Sequence, residues 1–106
     1  MKRLSYYMET SNMKKVVLEG KYLSDRETAH EYLKEVLNLP EYYGKNLDAL
    51  YDCLTDLEEI SIEIRVTDDR AVEEENTAYF EKILRVFKAA ARENQDLTIK
   101  LIREIE

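Results

Sequence analysis

Residues 46 to 55 read Asn46-Leu47-Asp48-Ala49-Leu50-Tyr51-Asp52-Cys53-Leu54-Thr55. Positions 48, 51, 52 and 55 have the spacing of one stripe of an α-helix, while Leu47, Leu50 and Leu54 share the opposite stripe. The leucines are expected to bury, and Asp48, Tyr51, Asp52 and Thr55 to face solvent. Two carboxylates in this arrangement suit proton transfer, or they suit pairing with guanidinium and ammonium groups in place of a phosphate. At i, i+4 they repel, which costs the free chain a few tenths of a kcal/mol. Asp48 is compensated because it lies in the first turn, where the helix dipole favours an acid; Asp52, a turn further on, has no such local reason. On an arbitrary helix the same pattern is a solvated polar face.

The segment that delivers this helix is defined by local chemistry. Pro40 blocks continuation of any helix from upstream, Gly44 permits a tight turn, and Asn46 is placed to cap the new helix. Ser24 and Glu27 form a capping box for an earlier helix over about 25 to 37, with Ala29, Leu33, Val36 and Leu37 on its buried side, ended by Asn38 and Pro40. A last helix is expected from about Thr77 to Glu93, with Phe80, Ile83, Leu84, Phe87 and Ala91 at core spacing, Glu73 to Glu75 near its N-terminus and Asn94 as C-cap. Val16-Val17-Leu18 is an unbroken apolar run, whereas Ile60, Ile62, Ile64 and Val66, and then Leu97, Ile99 and Leu101, alternate with polar residues. The first strand therefore reads as central and the other two as flanking. Strands separated by helices predict an α/β fold, a three-stranded parallel sheet with right-handed crossovers and helices packed on its faces.

The chain of 106 residues carries 16 Lys and Arg against 23 Asp and Glu, a net charge of −7, with one Cys and one His. This length suits one domain, residues 13 to 106, which would bury about two-thirds of its extended surface. Residues 1 to 12 are expected to form a flexible extension, with Met13 an alternative start. The acidic balance argues against nucleic acid as ligand, since its binders cluster Lys and Arg, and points to a basic protein partner. One Cys and one His cannot make a structural zinc site, and no calcium-loop spacing occurs, so no metal or cofactor is expected. Without an export signal or long apolar run, a cytoplasmic, membrane-free monomer is the expectation.

The segments LPEYYG (39 to 44), NLDAL (46 to 50) and DCLT (52 to 55) closely resemble the signature of the barstar family, intracellular polypeptide inhibitors of a microbial ribonuclease. The resemblance extends more weakly over the chain after Met13, through Val16 to Leu18, His30 before Leu33, Val86-Phe87 and Asp96-Leu97-Thr98-Ile99. It implies the barstar fold and an inhibitory surface of Tyr42, Asn46, Asp48, Tyr51, Asp52 and Thr55, with Asp52 the central acid and Glu93 a further acid on the last helix. Tyr51 stands where the type member has tryptophan, Ala89 where it has an interface glutamate, Lys45 where it is acidic, and Gln95 where it has a second cysteine.

With a barnase-like ribonuclease as partner, bound 1:1, the acidic helix would imitate RNA phosphate in the enzyme's basic cleft. Asp52 would pair with arginines, Asp48 with a basic group at the rim, and Tyr42 and Tyr51 would pack as aromatic anchors. Glu93 extends the patch if the two helices lie side by side, and is an ordinary exposed glutamate otherwise. A binding module for a different basic protein or nuclease toxin, without inhibition of such a ribonuclease, is the competing reading. Catalysis is not expected: His30 borders the buried side of its helix, Cys53 adjoins Leu50 and Leu54 as a small hydrophobe, and Tyr43 reads as a packing residue.

Overall fold

A computed structural model describes residues 14 to 67 and 74 to 104. The expected extension at 1 to 12, and Glu73, lie outside them. Three strands, β1 (Lys14–Glu19), β2 (Ile60–Thr67) and β3 (Leu97–Glu104), form one parallel sheet in the order β1-β2-β3. Three helices, α1 (Arg26–Val36), α2 (Leu47–Asp56) and α3 (Glu74–Glu93), occupy the connections, with a 3-10 turn at Gly20–Leu23. This is the expected α/β architecture with a three-stranded parallel sheet.

The central strand is β2, not β1 as expected. Val16, Leu18, Ile60, Ile62, Ile64 and Leu97 are buried and share one core with Leu33, Leu50, Leu54, Ile83 and Phe87 of the helices. The register Val16↔Ile62↔Ile99 aligns these side chains on one face. The opposite face is mostly polar: Lys15 pairs with Glu63 at 3.0 Å, and the face's apolar members Val17, 42% exposed, and Ile102 lie outside the core. Alternation therefore marks even the central strand, because only one of its faces meets the core. The apolar run of β1 includes a valine on the open face, so it did not signal centrality.

Local chemistry sets the helix ends. Asp25, not Ser24, caps α1, its carboxylate accepting from the Thr28 N–H at 2.9 Å. The chain leaves α1 through Asn38 at φ 54°, a left-handed conformation that asparagine tolerates. Helix α3 begins at Glu74, three residues before the expected Thr77, so Glu74 and Glu75 fall in its first turn. Phe80, Ile83, Leu84 and Phe87 are buried as expected, but the inward alanine is Ala90 while Ala91 is partly exposed. Gly20 is required by space: a Cβ there would stand 2.8 Å from the Arg65 carbonyl oxygen of β2.

Candidate functional site

Asn46 caps α2 as expected, its side-chain oxygen accepting from the Ala49 N–H at 2.8 Å and its amide donating to the Gly44 carbonyl at 3.3 Å. No glycine has positive φ; Lys45 has it, at 54°. Gly44 instead leaves room for the cap, since a Cβ there would lie 3.3 Å from the Asn46 amide nitrogen. Lys45 is held by an ion pair with Glu31 of α1, which ties the loop to that helix. The added positive charge beside the acidic stripe is thereby neutralised locally.

Leu50 and Leu54 are fully buried and Leu47 partly so. Asp48 and Asp52 are exposed on the other stripe, one turn apart. Tyr51 and Thr55 are half-buried rather than free, since Tyr51 packs against the core and the Thr55 hydroxyl donates to the Asp52 carbonyl at 2.9 Å. Tyr42, in the loop before α2, is 87% exposed. A large aromatic ring left this open contributes nothing to the core and offers contact area.

Its neighbour Tyr43 is 6% exposed and sits in a network the sequence only hinted at. His30 of α1, 1% exposed, has Nδ1 2.5 Å from the Tyr43 hydroxyl and Nε2 2.6 Å from the Tyr79 hydroxyl of α3. One buried imidazole thus links α1, the loop and α3. A neutral ring suits this position, accepting from one hydroxyl and donating to the other. Burial lowers the pKa of His30, and the nearby Arg26 charge lowers it further. Burial raises the pKa of Tyr43 and Tyr79, so both phenols stay protonated.

Helices α2 and α3 pack against each other. At their C-terminal ends the Asn94 side chain donates to the carbonyls of Leu54 at 3.0 Å and Leu57 at 2.8 Å, while its backbone N–H closes α3 onto Ala90 at 2.8 Å. The residue expected to end its own helix therefore also satisfies the end of α2. Glu93, exposed, precedes this clamp and lies on the α3 stripe of Lys82, Val86 and Ala89. Lys82 lines a recess with Asp48, so this stripe runs along the α2 side of α3.

The recess itself, about 540 Å³, is lined by Arg26, Asn46, Leu47, Asp48, Tyr79 and Lys82. Arg26 and Lys82 were not singled out from the sequence, and no local pattern could have found them, because they come from helices far apart in the chain. Cys53 is partly buried; burial raises its thiol pKa, with Asp56 and Asp52 adding to the effect, which disfavours the nucleophilic thiolate. Among the described residues no group of three metal-ligating side chains gathers, and no helix is long and apolar enough to cross a membrane.

Comparison with known proteins points to one family. A family model described as "Barstar (barnase inhibitor)" matches residues 13–104. The chain is 34% identical over 87 residues, 79% of its length and 92% of the relative's, to a Bacillus subtilis (strain 168) protein named "Putative ribonuclease inhibitor YrdF".

Proposed function

Because the chain belongs to the barstar family, we propose that it inhibits a ribonuclease, one of the barnase class, by closing the active site with the exposed face of α2. The observation that carries this reading is the pair Asp48 and Asp52. Both are exposed on a helix whose opposite side is locked into the core, beside a tyrosine 87% open to solvent. The acids are held outward by Leu50 and Leu54, which cannot leave the core without a large loss of buried apolar area.

A ribonuclease must hold RNA phosphates, so its cleft presents arginine, lysine and histidine donors. A carboxylate on a rigid helix meets those donors with the charge of a phosphate and offers no bond to cleave. Asp52, at mid-helix, enters the cleft and pairs with its arginines. Asp48 takes a basic group at the rim, and Glu93 adds a contact from α3. Tyr42 and Tyr51 pack against the enzyme surface with few rotatable bonds to freeze. Asn46 and Thr55 supply neutral contacts; the Thr55 donor is engaged within α2, so its hydroxyl offers an acceptor. The complex is 1:1, formed by residues 13 to 106 as one domain, with the substrate excluded by occupancy and no catalysis by the chain itself.

The test is titration of a purified barnase-like ribonuclease with the wild-type chain and with Asp52→Ala. Stoichiometric inhibition by the former, weakened at least about tenfold in the latter, is the expected result, corresponding to about 1.4 kcal/mol or more. Inhibition that survives Asp52→Ala unchanged would remove Asp52 from the phosphate-mimicking role. A wild-type chain inert toward such an enzyme would move the function to a different basic protein or nuclease toxin.

A further inference from the structure

The recess where α1, α2 and α3 converge borders the acidic stripe but has the opposite character. Arg26 and Lys82 are exposed and line it together with Asp48. Lys15, Lys34, Lys45 and Arg65 form ion pairs, while several other exposed cations of the described residues, such as Lys88 and Arg92, do not; what distinguishes Arg26 and Lys82 is that they line one recess. Neither Arg26 nor Lys82 belongs to an ion pair among the described residues, although the Asp48 carboxylate lines the same opening. The two other polar walls are engaged elsewhere. Asn46 caps α2 and bonds Gly44, and the Tyr79 hydroxyl is bonded to His30. The recess thus presents two uncommitted cationic donors, from two helices, at the edge of a surface otherwise built to meet a basic partner.

Two such cations repel basic side chains on the enzyme that approach the Asp48 end of the stripe, and like charges facing each other across an interface select against a partner. They become favourable if the partner offers an acid at that point. Resting on the ribonuclease reading above, we infer that the recess takes a carboxylate side chain of the same enzyme, its oxygens accepting hydrogen bonds from the Arg26 guanidinium and the Lys82 ammonium. The surface then reads a charge pattern, cations opposite Asp48 and Asp52 and an anion opposite Arg26 and Lys82. Ribonucleases of the same class without the acid are held less tightly, so this pair sets specificity within the class.

Arg26→Ala/Lys82→Ala makes a decisive variant because the two electrostatic effects have opposite signs. Removing two positive charges takes the net charge from −7 to −9, which by long-range attraction strengthens binding to any basic enzyme. Loss of a specific pair weakens it. The experiment is calorimetric titration of a purified barnase-like ribonuclease with wild type, the double variant and Asp52→Ala. It is repeated with ribonuclease variants in which each surface Asp or Glu is changed to Asn or Gln; reading heat rather than activity keeps catalytic acids in the set. The expected result is at least tenfold weaker binding by the double variant and a single enzyme acid whose removal abolishes that difference. Unchanged or tighter binding by the double variant, with Asp52→Ala still weak, overturns the inference and leaves the inhibitor reading standing. No binding by wild type overturns both. Urea midpoints matching wild type exclude misfolding of these surface variants as the cause.

Discussion

Tyr42 and Tyr43 are adjacent and chemically identical, yet one is 87% and the other 6% exposed. Substituting them should separate binding from folding. Tyr43→Phe leaves a buried imidazole nitrogen without its hydroxyl partner and is expected to lower the unfolding free energy by about 1–3 kcal/mol in urea denaturation. Tyr42→Ala should change stability by less than about 0.5 kcal/mol and appear instead as weaker ribonuclease binding. His30, the sole histidine, gives a pH signature whose sign follows from its environment. Its folded pKa lies below the ordinary 6.5, so the unfolded chain binds the proton first. The stabilisation due to the neutral ring is complete above 6.5 and is lost as pH falls from there through the lowered folded value. Urea midpoints across this range should decline with acidification in wild type and decline less in His30→Gln, and the single imidazole resonance in proton NMR should titrate below 6.5. The sequence placed His30 at the buried edge of its helix and Tyr43 in the packing, but not their bond, because it joins residues from separate segments.

At the scale of elements, the candidate surface depends on how firmly α2 is held at each end. Asn46 fixes its start through one side-chain bond, and that was legible in the sequence because capping is a matter of neighbours. Its other end is fixed by Asn94, thirty-seven residues beyond Leu57 in the chain. Asn94→Ala takes the side-chain donor from the Leu57 carbonyl at a part-buried junction and leaves the Leu54 carbonyl only the Leu57 N–H at 3.3 Å. The expected cost is about 1–3 kcal/mol by urea denaturation, accompanied by weaker partner binding if the α2–α3 alignment carries both Asp52 and Glu93. A stability within error of wild type would show that water replaces the side chain at that junction. Elements with strong periodicity were placed correctly from the sequence: α2, the three strands and the core side of α3 apart from Ala91, where Ala90 is the inward residue. The misplacements have distinct physical sources. The cap of α1 moved from Ser24 to Asp25 because both residues are competent and only the chain's path decides between them, and β1 looked central because an apolar run does not say which of its residues faces the helices.

For the whole molecule, a net charge of −7 and the basic ribonuclease proposed as partner imply association that slows as salt rises. The barnase–barstar complex is itself the reference case for such steering, and only the direction is carried to this chain. Stopped-flow mixing with the ribonuclease at increasing ionic strength should show the on-rate falling while the off-rate changes far less. Composition and pattern determined the charge, the α/β class, the parallel sheet and the amphipathic helix bearing Asp48 and Asp52, because each depends on residues close together in sequence or on sums over all of them. The tertiary structure alone decided which strand is central, how His30 and Asn94 tie separate segments together, and that Arg26 and Lys82 line one recess with Asp48. Those are contacts between residues tens of positions apart, fixed by the packing of whole elements against one core.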